Sequence, residues 1–179
     1  MKKNVLIIST SPRKGGNSEM LADAFAKGAA EAGNQVEKIS LYDKTIGFCK
    51  GCLACNKTNR CVIHDDADPI AQKMMKADVL VFATPVYYYE MSGQMKTMLD
   101  RANPLYTSDY AFRDVYLLAT AAEPEETAMD GTIQGLQGWI ACFPKSRLAG
   151  TVFGGGVGPV GAIKGHASLD KAYEMGKLI

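Results

Sequence analysis

A chain of 179 residues that is 47% hydrophobic and 22% charged has the size of one globular domain, residues 1–179, and can bury about 70% of its unfolded surface without a metal or disulfide staple. Its 20 basic and 19 acidic residues leave a net charge of +1, which excludes the basic footprint of a nucleic-acid binder. No window approaches the ~18 consecutive apolar residues of a membrane span, and the apolar run after Met1-Lys2-Lys3 is too short for a secretory signal. The expected compartment is therefore the cytoplasm, with no membrane and no nucleic-acid partner.

Asn4–Ser9 (NVLIIS) is a continuous aliphatic run, the pattern of a strand buried on both faces of a parallel sheet. From Asn17 the period changes: Leu21, Phe25 and Ala29 fall four apart and Gly33 follows, which predicts a helix. Gln35–Leu41 alternates less cleanly and reads as an edge strand, followed by a cysteine-rich loop. Asp65, Asp66 and Asp68 make an acidic first turn for a short helix carrying Ile70, Met74 and Met75. Asp78–Ala83 is a second buried strand, stopped by Thr84 and Pro85; Met91–Ala102 is a helix and Asp114–Ala122 a strand. Met129–Phe143 forms a helix before Pro144, Arg147–Phe153 a last strand and Ser168–Gly176 a last helix. Strict alternation of strand and helix implies a three-layer α/β/α fold, and five parallel strands in this length imply the flavodoxin-like order 2-1-3-4-5.

In such sheets the ligand lies outside the carboxyl ends of the strands, where the first and third diverge. The loop after the first strand, Thr10 to Ser18, runs into a helix N-terminus. It offers backbone amides, the hydroxyls of Ser11 and Ser18, the Asn17 amide and the Arg13 guanidinium to a phosphate. An ordinary polar turn is the alternative; a Walker loop is absent. The loop after the third strand places Tyr87, Tyr88 and Tyr89 beside it, where rings can stack on a flat heterocycle or serve as packing or subunit contacts. A phosphate at one end and an aromatic plane at the other describe FMN. Gly156 to Gly161 fits G-x-G-x-x-G literally, but too little chain follows for a dinucleotide unit, so it reads as a flexible loop. Glu123, Glu125 and Glu126 read as a solvated turn, His64 and His166 as isolated, and Cys142 as core.

Ser11-Pro12-Arg13, Asn17-Ser18, Thr84-Pro85-Val86-Tyr87 and Lys96 with Asp100-Arg101 resemble the NADPH-dependent FMN reductase family of flavodoxin-like proteins. The resemblance implies that Ser11, Arg13, Asn17 and Ser18 hold the FMN phosphate and that Pro85, Val86, Tyr87 and Tyr88 border the isoalloxazine. Thr10 stands where many members have Gly, and Thr120 to Glu123 lacks the glycines common there. Cys49, Cys52, Cys55 and Cys61 resemble in spacing the cluster motif of the iron–sulfur flavoproteins, a branch of that family. Closely spaced thiolates can wrap one [4Fe-4S] cubane; unoccupied thiols and zinc are the other readings. The loop follows the second strand, which predicts a position at the flavin edge of the sheet.

The resemblance implies an FMN-dependent enzyme passing electrons from NAD(P)H to a quinone, nitro or azo compound or another small acceptor. No side chain is assigned as catalytic, because the flavin carries the chemistry. The alternative is an electron carrier in which FMN and a [4Fe-4S] cluster exchange electrons with a ferredoxin-like protein. A homodimer or homotetramer is the implied assembly.

Overall fold

The computed structural model describes residues 2–179; Met1 lies outside them. Its elements are β1 (Asn4–Ser9), α1 (Asn17–Glu31), β2 (Gln35–Ser40), α2 (Cys55–Thr58), α3 (Ala67–Lys76), β3 (Val79–Tyr87), β4 (Glu90–Met91), α4 (Gly93–Arg101), β5 (Asp114–Thr120), α5 (Asp130–Ile140), β6 (Arg147–Gly154) and α6 (Ala167–Lys177). Five strands run parallel in the order β2-β1-β3-β5-β6, the flavodoxin-like arrangement expected from the sequence.

The expected count of five strands is corrected to six, because β4 folds back antiparallel on the end of β3, pairing Val86 with Met91 and Tyr87 with Glu90. Met91 therefore belongs to a hairpin rather than to the following helix. The α4 helix starts at Gly93 because the Ser92 side chain caps it, accepting from Met95 N at 3.3 Å. Thr84-Pro85 does not end β3 either. Pairing with β1 stops at Ala83 while pairing with β5 runs on to Pro85 and Thr120. A proline is tolerated there because one side of the strand has no ladder to supply. The short α2 helix within the cysteine segment had no periodic signal.

Both faces of the sheet are buried, and the strands divide their residues between them with period two. Val5, Ile7, Val79, Val81 and Leu118 pack with Leu21 and Phe25 of α1 and Ala172 of α6. Leu6, Ile8, Leu80, Phe82 and Leu117 pack with Met74 of α3, Met95 and Met98 of α4 and Leu136 of α5. On the first face α1 and α6 cross backbone to backbone: a methyl at Gly28 would collide with the Tyr173 carbonyl, and one at Gly176 with the Phe25 carbonyl. Among the described residues no helix is long and apolar enough to cross a membrane.

Gly28→Ala and Gly176→Ala are expected to destabilise the protein by roughly 1–3 kcal/mol each, the range for overpacking a tight contact. Gly138→Ala in α5, where an added Cβ meets nothing within 4 Å, is expected to stabilise it by about 1 kcal/mol through helix propensity. Urea unfolding midpoints of the three variants check the contrast.

Candidate functional site

Three buried hydroxyls fasten the carboxyl edge. Thr10 Oγ1 donates to Ala83 O at 3.1 Å and lies 3.0 Å from Ser92 Oγ, while Ser92 N donates to Thr84 Oγ1 at 3.1 Å. The loop after β1, the end of β3 and the start of α4 are thus one unit, and Thr10 has a structural use in it.

Within the first loop, Ser11 Oγ accepts from Arg13 N at 3.1 Å and donates to Arg13 O at 2.9 Å. A Cβ at Gly16 would run into that hydroxyl, so only glycine lets the loop close this tightly. Arg13 is exposed and one of its guanidinium nitrogens donates to Gly158 O at 3.2 Å. Gly15 N donates to the Glu19 carboxylate at 2.8 Å, so this loop already turns an amide toward negative charge. Ser18 Oγ is buried in the first turn of α1 with no partner among the described residues. An orphan hydroxyl beside the free amides and positive dipole end of a helix suits a phosphate oxygen. Arg13 and Ser18 fit that group, whereas the Ser11 hydroxyl is spent on shaping the loop.

Asn17 is placed differently from the sequence expectation. Its Nδ2 donates to Val157 O at 2.9 Å and Pro159 O at 2.8 Å, and its Oδ1 accepts from Gly161 N at 2.9 Å and Ile163 N at 3.4 Å. The whole amide is spent on the glycine-rich loop. That loop, expected to be flexible, is further tied by Val157 N to Ala121 O at 2.9 Å and Gly156 N to Glu123 O at 3.0 Å. Residues 121–124 and 155–158 consequently form a joined wall beside the loop after β1. The glycine cluster was the signal for it in the sequence.

On the other side, Tyr88 and Tyr89 form the two-residue turn between β3 and β4, both left-handed at φ 50° and 64°. This is the backbone of a type I′ hairpin, normally given to Asn-Gly, and each non-glycine residue there costs about 1–2 kcal/mol. The turn leans on α5, since a methyl at Gly131 would strike Tyr89 O. Tyr88 is fully exposed. A cavity of about 230 Å³ lies between Val86, Tyr88 and Tyr89 on one side and Ala121, Ala122 and Glu123 on the other. Pro85 is buried and Tyr87 is exposed. A ring slotted between the hairpin and the loop after β5 would meet Val86 and the tyrosines, with apolar walls suited to its faces.

The cysteine segment lies elsewhere. It leaves the carboxyl edge at Leu41, whose N–H donates to Ser9 O at 2.8 Å. It then runs down α4, and a cavity of about 410 Å³ gathers Cys49, Cys52, Cys55 and Cys61 against Leu99 to Pro104 and the end of α5. The length of α4, about 13 Å at 1.5 Å per residue, separates this cavity from the edge where Ser92 caps the helix. The expectation of a shared edge is thereby corrected: twenty-odd residues of irregular chain let the loop cross the helical layer before α3 begins. Cys142, expected in the core, is exposed and lines the same cavity.

Arg101, at the last position of α4, has a side chain with 0% exposure and clamps both ends of the segment. It donates to Gly47 O at 2.7 Å and Ile63 O at 3.1 Å, and forks onto Asp65 at 2.7 and 2.8 Å. Burial alone would raise the Asp65 pKa, but the guanidinium and the N–H groups of Gly47 and Ala67 outweigh it and hold the carboxyl below its usual range. Asp68 anchors Cys61 N at 2.9 Å and Arg60 Nε at 2.8 Å. Backbone N–H groups of Gly51 and Ile63 approach the sulfurs of Cys49 and Cys61, each at 3.5 Å. Left-handed Gly51, Leu53 and Asn59 wind the segment tightly. Among the described residues no three metal-ligating side chains converge closely enough to hold an ion. Four thiols around one cavity, with amides turned toward two of the sulfurs, nonetheless form a donor set suited to a cubane.

The class that this fold and edge define is the flavodoxin-like proteins. A solved NAD(P)H:quinone oxidoreductase from Methanothermobacter marburgensis superposes with a TM-score of 0.77 at 18% identity, covering 99% of this chain and 96% of that one. The family model for NADPH-dependent FMN reductase matches residues 3–150, and the chain belongs to that family. An iron-sulfur flavoprotein of Methanocaldococcus jannaschii is 42% identical over 101 residues, 56% of this chain and 52% of the relative. Another, from Methanosarcina thermophila, is 33% identical over 134 residues, 74% of this chain and 70% of the relative. The chain thus spans about half the length of the first relative.

Arg101→Ala leaves the Asp65 carboxylate half-buried without its cation, and is expected to cost about 3–5 kcal/mol by the precedent of broken buried pairs. Because the Asp65 pKa is lowered on folding, its contribution is complete above about pH 4 and is lost as pH falls through the folded-state value. Asp65→Asn should remove that acid-side loss. Urea unfolding of wild type and variants between about pH 6 and about pH 3 measures both effects.

Proposed function

We propose that the chain is an FMN-dependent oxidoreductase with two centres: FMN at the carboxyl edge and a [4Fe-4S] cluster on Cys49, Cys52, Cys55 and Cys61. The observation that supports this reading is that the candidate residues fall into two separate groups. One is the carboxyl edge, with the orphan Ser18 hydroxyl at the start of α1 and a cavity between the hairpin and the loop after β5; the other is the four-cysteine cavity closed by Arg101. Family membership and the iron-sulfur flavoprotein relatives support each in turn.

Bound FMN would supply hydride acceptance from NAD(P)H and electron release in single or paired steps, and a cubane would carry one electron at a time. The chain's own residues bind and orient. Ser18 and the first turn of α1 receive the phosphate, Ser11 holds the loop in shape around it, and Arg13 adds charge at the mouth of the loop. Pro85, Val86, Tyr87 and Tyr88 border the ring, and the joined 121–124 and 155–158 loops close its other side. Asn17 acts through that second wall.

For the acceptor, a quinone, nitro or azo compound suits an open aromatic edge, on which Tyr88 is fully exposed. The second reading, exchange with a ferredoxin-like protein, is favoured by one feature: Lys44 and Arg60 are paired with Asp43 and Asp68, but Lys50 and Lys57 of the cysteine segment have no acidic partner among the described residues. Such a stretch beside the cysteine cavity attracts an acidic partner. Residues 1–179 act as one domain in the cytoplasm, assembled as a homodimer or homotetramer in which the exposed Phe48 gains cover.

Anaerobic purification is expected to yield flavin and iron–sulfur absorbance together, with about four irons per chain. FMN without iron would remove the cluster from the reading and leave the flavin enzyme. Arg13→Ala is expected to weaken FMN binding by about 1.5–3 kcal/mol, the range for a charge-assisted hydrogen bond; unchanged affinity by fluorescence titration would move the phosphate elsewhere. Steady-state turnover with NADPH and a quinone supports the small-acceptor reading, and turnover confined to reduced ferredoxin supports the carrier.

A further inference from the structure

Asn103 stands two residues beyond the Arg101 clamp, where α4 gives way to the short turn Asn103–Leu105. Its side-chain nitrogen lies 3.0 Å from Cys55 Sγ and 3.3 Å from Asn56 Oδ1. Two acceptors face the same nitrogen, so the amide turns its N–H bonds, not its oxygen, toward the cysteine.

The four sulfurs differ in what surrounds them. Cys49 and Cys52 are exposed and can be solvated, and Cys61 has the Ile63 N–H at 3.5 Å and Arg101 beside it. Cys55 is 8% exposed, so water serves its sulfur least. A neutral thiol tolerates that burial, because it is a weak donor and acceptor and can point its hydrogen at Asn56 Oδ1, 3.9 Å away. A sulfur bearing negative charge does not, since a buried charge without a donor is costly. The Asn103 bond is therefore of use chiefly when Cys55 is a deprotonated ligand.

We infer that Asn103 is a positioning residue for the cysteine centre. Its amide fixes the Cys55 sulfur, tightens the hold of the four thiolates on their metal and raises the reduction potential of the cluster. The inference rests on the cluster reading given above. Reduction adds an electron whose charge spreads onto the ligand sulfurs, so a donor to one of them favours the reduced state, which is how hydrogen bonds to sulfur set cluster potentials. Residues behind the ligands act on metal sites in the same way elsewhere.

The test uses the full chain, purified anaerobically with FMN bound, as wild type, Asn103→Leu and Asn103→Asp. Leu keeps the volume and removes the donor; Asp keeps the shape and sets an acceptor against the sulfur. A tenfold loss of relative stability in the reduced cluster lowers a one-electron potential by about 59 mV, and a fall of at least that size is expected for Leu and a larger one for Asp in an EPR-monitored titration. FMN content should stay at the wild-type level, because the flavin edge lies at the other end of α4. In chains stripped of iron and titrated with cobalt(II) alone, followed by thiolate charge-transfer absorbance, both variants should bind about 10-fold or more weakly. Wild-type potential and cobalt(II) affinity in the two variants would overturn this inference while leaving the cluster reading intact. A wild-type chain that takes up neither iron nor cobalt(II) would overturn both together. A variant that fails to retain FMN is replaced in the comparison by the other, so the potential is read on a folded chain.

Discussion

One buried cation organises the half of the molecule that the sheet does not. The stretch from Gly47 to Ile63 has neither strand ladder nor long helix to hold it, and a loop this long has a real entropic cost of closure. Arg101 meets that cost at a single point by bonding the backbone at both ends and forking onto Asp65. Arginine is suited to the task, because its planar group presents several donors in fixed directions and keeps its charge when buried. The helix carrying it is itself pinned at the other end by the Ser92 cap and the Thr10 and Thr84 hydroxyls. The α4 helix thus acts as a strut, with one candidate site built on each end.

The carboxyl edge of the sheet is held by a different means. Tyr88 and Tyr89 adopt left-handed backbone conformations that tyrosine disfavours, and that strain persists because surrounding contacts over-determine the turn. Antiparallel pairing of β4 with β3 fixes its base, and the missing side chain at Gly131 lets α5 press against its tip. Aromatic side chains are delivered to the rim at the expense of local backbone stability. This pattern is common where recognition matters more than rigidity of the free chain.

Strands and helices were legible in the sequence because each buried run has a period that only one element satisfies. NVLIIS cannot sit half in water, and Leu21, Phe25 and Ala29 line up only on a helix. The order of the sheet followed from that alternation. What the sequence concealed was contact between distant segments. Asn17 carries no mark that its amide will be consumed by residues 157–163, nor does a literal G-x-G-x-x-G say that it will be pinned as a wall. Spacing showed that four cysteines belong together, but not that the loop bearing them would travel the length of α4, because no local propensity encodes a route across another helix. Cys142 looked like core since its neighbours Trp139 and Phe143 are apolar; the helix has already ended there, and the side chain turns outward into the cavity.

The close crossing of α1 and α6 also bears on how the chain comes to be folded during synthesis. Gly28 lies against the Tyr173 carbonyl and Gly176 against the Phe25 carbonyl, so the flank of α1 stays open to water until α6 has left the ribosome. The nascent chain must carry that exposed seam through the making of every strand. Such far-apart contacts are slow to close, and the point of greatest risk for the growing protein therefore lies in α1, a helix that can be completed early yet sealed only once α6 is made.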